Sequence, residues 1–109
     1  VVVGADESDM ACAVNRIADL QGGAVLCEHG RVISEIAMPI FGIANDVPVA
    51  TLAAQLQEFN RAICGLGVTF PDPLLSLITL TGAAIPYLRI CEEGLVNLKD
   101  GRRLELFMS

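Results

Sequence analysis

The chain has 109 residues, 53% of them apolar and 18% charged, with 13 acidic side chains against seven basic ones. That length suits a single domain spanning residues 1–109, and so apolar a composition excludes an intrinsically disordered chain. The formal net charge of −6 and seven scattered Lys and Arg argue against a nucleic-acid surface or an anionic membrane surface, both of which need a basic stripe.

The opening "VVVGA" is a β-branched run closed by Gly and predicts a buried strand. Asp6 or Ser8 caps the helix that follows, with Glu7 and Asp9 suited to its N-terminal dipole. Met10, Val14, Ile17 and Leu20 recur at helical spacing, and Gly22-Gly23 ends the run. "AVLC" predicts a second strand. Glu28-His29-Gly30-Arg31 reads as a tight turn, which returns "RVISEIAM" as a hairpin partner with Val32, Ser34, Ile36 and Met38 on one face.

"PIFGIANDVP" breaks the pattern with Pro at both ends, Gly inside, and apolar side chains that a solvated loop would not select. Asp46 is positioned to cap the next helix, whose stripe is Leu52, Leu56, Phe59, Ile63 and Leu66. Asp72 and Pro73 then open a third helix, where the missing N–H of Pro costs nothing. The nearly uncharged run after them is too short for the roughly 20 apolar residues of a membrane span and predicts a helix buried on all sides. The tail reads as strands "YLRIC" and "GLVNL", a Lys99-Asp100-Gly101 turn, and a last strand "RLELFM". The predicted fold is therefore α/β (α+β), a mixed, partly antiparallel sheet with about three helices in the order β-α-β-β-α-α-β-β-β.

Catalytic chemistry is hard to assemble from these residues. His29 is the only His and sits in a turn, no G-x-G-x-x-G or P-loop follows a strand, and no Ser lies in a nucleophile elbow. The acids of "GADESD" would repel a phosphate, so helix capping is their expected role. Cys12, Cys27, Cys64 and Cys91 are widely spaced without a C-x-x-C pair. With no signal peptide visible, they read as free thiols in a reducing cytoplasm rather than as disulfides or a zinc site. No catalytic, cofactor-binding or metal-binding residue is predicted in this stretch.

Three segments, taken together, resemble the C-terminal domain of microbial adenine deaminases in the amidohydrolase superfamily. "VVVGADESDMACAVNRI" is similar to V-V-G-x-x-x-x-D-M-x-x-A-V-N-R-[LI], and "MPIFGIANDVP" to L-P-I-x-G-L-M-S-D-x-P. "PDPLLSLITLTGAAIPYLRICEEGLVNL" is similar to P-D-P-F-M-x-L-S-F-L-x-L-x-x-I-P-x-L-[KR]-[IL]-x-x-x-G-L-V-[DN]. Departures fall at Ala44-Asn45, Leu74-Leu75 and Ile78-Thr79, where that family tends to carry Met-Ser, Phe-Met and Ser-Phe.

The resemblance implies a longer cytoplasmic hydrolase of purine metabolism. Its catalytic (β/α)₈ barrel uses a divalent metal, manganese or iron, to convert adenine and water to hypoxanthine and ammonia. The abrupt start at Val1 fits a piece cut from such a chain. The expected partners are that barrel and, in a homo-oligomer, further copies of the chain; the rival readings are a non-catalytic oligomerisation module and a stand-alone small-ligand binding domain. An apolar patch formed by residues 38–48 and the turn at residues 71–75 is expected to cover the pocket mouth or an interface. Its candidate residues are Pro39, Phe41, Gly42, Asn45, Pro71, Asp72 and Pro73. The competing placement tucks Phe41 beneath its own hairpin.

Overall fold

The computed structural model describes residues 1–82 and 87–105. Its elements run α1 (Glu7–Leu20), β1 (Gly23–Glu28), β2 (Arg31–Ala37), α2 (Val49–Gly65), α3 (Pro73–Thr79), β3 (Leu88–Cys91), β4 (Gly94–Asn97) and β5 (Arg102–Leu104). This is the mixed α/β class that the sequence predicts, with three helices in the predicted places. The strands form two small antiparallel sheets, β1-β2 and β3-β4-β5, rather than one mixed sheet. Residues 1–4 hold no strand, because the expected β-branched strand has no partner edge among the described residues. The chain gathers into two compact units, one of residues 2–73 and one of residue 1 with residues 74–109.

In the larger unit, α1 starts where Asp6 accepts the backbone N–H of Asp9 at 2.9 Å, which satisfies one of the helix's orphan donors. It ends in a Schellman arrangement. Gln21 takes the left-handed conformation at φ 60, Gly22 N–H donates to Ile17 O at 3.2 Å, and Gln21 N–H donates to Ala18 O at 3.2 Å. The β1-β2 hairpin turns through His29 (φ 52) and Gly30 (φ 73), the positive-φ pair of a type I′ turn.

The hairpin lies between two helices. Cys27 on β1 meets Cys12 of α1, and Glu35 on β2 pairs with Arg16 of α1, so α1 covers that face. Ile36 points the other way and is 1% exposed; with Phe59 and Ile63 of α2 it makes the core, as the predicted stripe of α2 requires. Two predicted faces shift. The register slips between Leu26 and Cys27, leaving Ile33 unpaired and setting Val32 opposite Cys27, so Val32 leaves the Ser34–Ile36–Met38 face. Val14 is exposed, because α1 approaches the hairpin through Cys12, Ala13 and Arg16 instead. The α2 cap also differs from expectation. Pro48, not Asp46, holds the position, and its carbonyl accepts Leu52 N–H at 3.0 Å without any side-chain cap.

Helix α3 begins at Pro73, as predicted, but ends at Thr79 and is not buried on all sides: Leu74 is buried, whereas Leu75, Ile78 and the following Leu80 are exposed. Its polar members satisfy the end of the helix. Thr79 Oγ1 donates to Ser76 O at 2.8 Å, Thr81 Oγ1 donates to Ile78 O at 2.7 Å, and the Arg89 guanidinium donates to the carbonyls of Thr81 and Gly82. The β3-β4-β5 meander follows, with Val96 its buried residue and Lys99 stacked 4.6 Å over the Tyr87 ring. Its last turn is held by Asn97 and Asp100, whose side chains accept Lys99 N–H and Arg102 N–H at 2.9 and 3.1 Å. The expected continuation of the last strand through residues 106–108, and residues 83–86 of the apolar run, lie outside the described residues. Among those described, no helix is long and apolar enough to cross a membrane.

Candidate interface site

Residues 38–48 close into a small hairpin of their own. Ile40 and Ala44 exchange backbone hydrogen bonds at 3.0 and 3.1 Å, and Ile43 N–H donates to Ile40 O at 3.2 Å. The two residues at the bend, Phe41 (φ 54) and Gly42 (φ 77), have the paired positive φ of a type I′ turn. Gly supplies such a conformation without strain, whereas a bulky aromatic there is an outlier that costs about 1–2 kcal/mol. Phe41 is nevertheless 96% exposed, flanked by Ile40 at 45% and Ile43 at 65%. It is not tucked beneath its hairpin in this chain.

The turn stands on a fixed base. Met38 is buried and its N–H donates to Gly22 O at 3.1 Å, which ties the loop to the end of α1. Gly22 and Gly42 meet so closely that a Cβ built on Gly22 would lie 2.5 Å from the Gly42 Cα, so no other residue fits at position 22 without moving the loop. Asn45 Nδ2 donates to Ala37 O at 3.2 Å, while its Oδ1 is buried without a hydrogen-bond partner.

Of the other predicted residues, Pro39 is exposed beside the turn, and Pro71 and Asp72 are exposed ahead of α3. Pro73 is fully buried and offers no surface to a partner. Among the described residues, no three His, Cys, Asp or Glu side chains gather as a metal-binding group.

Three polar contacts that sequence reasoning did not find fix α1 over the hairpin. The Asp9 carboxylate accepts His29 N–H at 3.1 Å and Gly30 N–H at 2.6 Å, closing both donors of the type I′ turn. Arg16 makes two parallel bonds of 2.8 Å to Glu35. Those bonds hold the Glu35 carboxyl below its ordinary pKa and the Arg16 guanidinium above its own. Between them Cys27 Sγ donates to Cys12 Sγ at 3.2 Å. The signal was present as Asp9, Cys12 and Arg16 at i, i+3 and i+7, one face of a helix. Replacing Asp9 with Ala is expected to cost about 2 kcal/mol, the scale of losing hydrogen bonds to a charged acceptor. Asp9→Asn, which keeps one acceptor oxygen, should cost about half as much in urea denaturation.

Residues 1–102 match the family model described as the adenine deaminase C-terminal domain. A protein of Methylobacterium sp. (strain 4-46) named adenine deaminase is 46% identical over 103 residues, which is 94% of this chain and 18% of that protein. The adenine deaminase of Methylobacterium nodulans is 42% identical over 103 residues, again 94% of this chain and 18% of the relative. Adenine deaminase 2 of Shouchella clausii is 36% identical over 109 residues, covering 100% of this chain and 19% of its own length. The chain thus spans under a fifth of the length of these relatives. No solved structure matches it. With the family model matching residues 1–102 and relatives aligned along the whole chain, this chain belongs to the adenine deaminase C-terminal domain family.

Proposed function

We propose that the chain serves as the C-terminal domain of an adenine deaminase-type aminohydrolase, a cytoplasmic hydrolase of purine metabolism that converts adenine and water to hypoxanthine and ammonia. In this reading it contributes no catalytic group. The divalent metal, manganese or iron, and the acid–base residues belong to the catalytic barrel of the parent chain. The domain supplies an apolar contact, the Ile40–Phe41–Ile43 turn, that docks against the barrel near its pocket mouth and helps to keep water out.

The observation that carries this reading is Phe41 itself. At a bend where Asn-Gly is the favoured pair, the chain holds an aromatic residue in a strained conformation and exposes it to water. Neither local propensity nor the core of its own unit accounts for that choice, whereas a partner surface does. The base beneath the turn is already ordered by Met38, Gly22 and Asn45, so little conformational entropy is lost on docking.

Phe41→Asn separates the two contributions. The substitution places Asn-Gly at the bend and should raise the stability of this 109-residue chain by roughly 0.5–1 kcal/mol, by relieving the strain. In the full-length protein it should weaken the docked arrangement about thirtyfold, the scale of losing an interfacial aromatic worth about 2 kcal/mol, and lower deaminase turnover with it. Unchanged turnover together with loss of oligomers would favour the oligomerisation reading. A stability loss of about 3–5 kcal/mol in this chain would return Phe41 to the core.

A further inference from the structure

Cys12 and Cys27 come from different elements, α1 and β1, and their sulfurs lie 3.2 Å apart, each half-buried and still within reach of solvent. Neither is bonded to another cysteine. Their approach is held from both sides along the helix. Asp9 grips the N–H groups of His29 and Gly30, and Arg16 grips Glu35, so α1 cannot slide along the hairpin without breaking four hydrogen bonds of 2.6–3.1 Å. A disulfide bond of about 2.05 Å needs the two sulfurs to approach by roughly 1 Å more.

We propose that Cys12 and Cys27 form a reversible disulfide, an oxidation site that stitches α1 to the hairpin under oxidising conditions. The electron acceptor is a low-molecular-weight disulfide such as oxidised glutathione. A protein thiolate attacks one of its sulfurs, a mixed disulfide forms, and one small thiol leaves. The second protein thiolate then attacks the protein sulfur of that mixed disulfide and releases the other small thiol. Two protein thiols and one small disulfide thus become one protein disulfide and two small thiols.

Burial, the hydrogen bond to Cys12, and the charges of Cys12, Asp9 and Glu35 push the Cys27 thiol up to about 11. Arg16 is the cation on the same face, 2.8 Å from Glu35. Cys27 therefore keeps its proton at neutral pH, and closure quickens as pH rises. The closed loop contains the Gln21–Gly22 bend on which Gly42 rests, so oxidation also stiffens the seat of the exposed turn.

The test uses the full-length protein in its native state, equilibrated with oxidised glutathione and then blocked with an alkylating agent. Trypsin cuts at Arg16 and Arg31 and so places Cys12 and Cys27 on separate peptides. A Cys12–Cys27 linked pair in the non-reduced digest, lost on adding dithiothreitol, is the expected result. The unfolding transition of this domain should rise by roughly 5–10 °C, and the rise should vanish in Cys12→Ser and persist in Cys64→Ser. If Cys64, which is exposed, takes glutathione while Cys12 and Cys27 stay alkylatable or carry only glutathione, the proposal is overturned. The wild-type digest decides this even if a variant fails to fold.

Discussion

Replacing Phe59 with Ala is expected to destabilise the protein by about 3–5 kcal/mol, the usual cost of emptying an aromatic site in a core. Phe59 is 2% exposed and lies one turn before Ile63 on α2, against the face of the hairpin that carries Ile36. The cavity left by the ring has little chance to collapse. The hairpin is held from its other face by Asp9 and Arg16, so β2 cannot drop toward α2 without giving up those bonds. Phe59→Leu keeps most of the apolar volume and should cost less than half as much. Guanidinium titrations of the two variants measure the difference, and a loss below about 1 kcal/mol for Phe59→Ala would place the centre of the core elsewhere.

Gly23→Ala is expected to be at least as damaging, for a different reason. Gly23 opens β1 at φ 132, in a region of backbone space that only glycine occupies without strain. A Cβ there would also collide with the carbonyl oxygen of Ile36 and lie 3.0 Å from Met38 N. These are backbone atoms of β2 and of the residue that ties the loop to Gly22, so no side chain can turn aside to make room. The strain of about 1–3 kcal/mol adds to the cost of opening the β1-β2 ladder, and we expect a total of about 3 kcal/mol or more. Gly30→Ala is the control. Gly30 also has positive φ, at 73, but a Cβ there meets nothing within 4 Å, so only the backbone term of about 1 kcal/mol applies. Equal losses at the two positions would show that the contact with Ile36 has no weight.

The two glycines at the end of α1 also connect the fold to the candidate interface. Gly23 lets β1 start close against β2, and Gly22 leaves space for Gly42. The exposed turn is thereby mounted on the junction of α1 and β1 rather than on a free loop. A substitution at Gly22 would alter the presentation of Phe41 without touching Phe41 itself.

What the sequence by itself determined about this protein is the part governed by near neighbours, together with its family. The Asp6 cap, the Gly22-Gly23 stop, the His29-Gly30 and Lys99-Asp100-Gly101 turns, and the Phe59–Ile63 stripe of α2 each depend on residues within a few positions of one another. The three motif segments carried the family resemblance in the same local way, and the family model covers them. Partnership and register were decided only by the tertiary structure. "VVVGA" has strand composition, yet a strand needs an edge to pair with, and the described residues offer it none. A bulge opposite Leu26 and Cys27 turned Val32 off its predicted face, because a single extra residue reverses a period of two. Val14 fits the apolar spacing of α1, but close approach to the hairpin favours the smaller Cys12 and Ala13 and leaves Val14 in water. Asp9 capturing a turn 20 residues away and Cys12 meeting Cys27 depend on that same docking of helix on hairpin, a long-range contact that spacing along the chain does not specify. Phe41 belongs to the same class: the sequence marked it as out of place in a loop, and the three-dimensional fold put it at a positive φ with its ring in solvent.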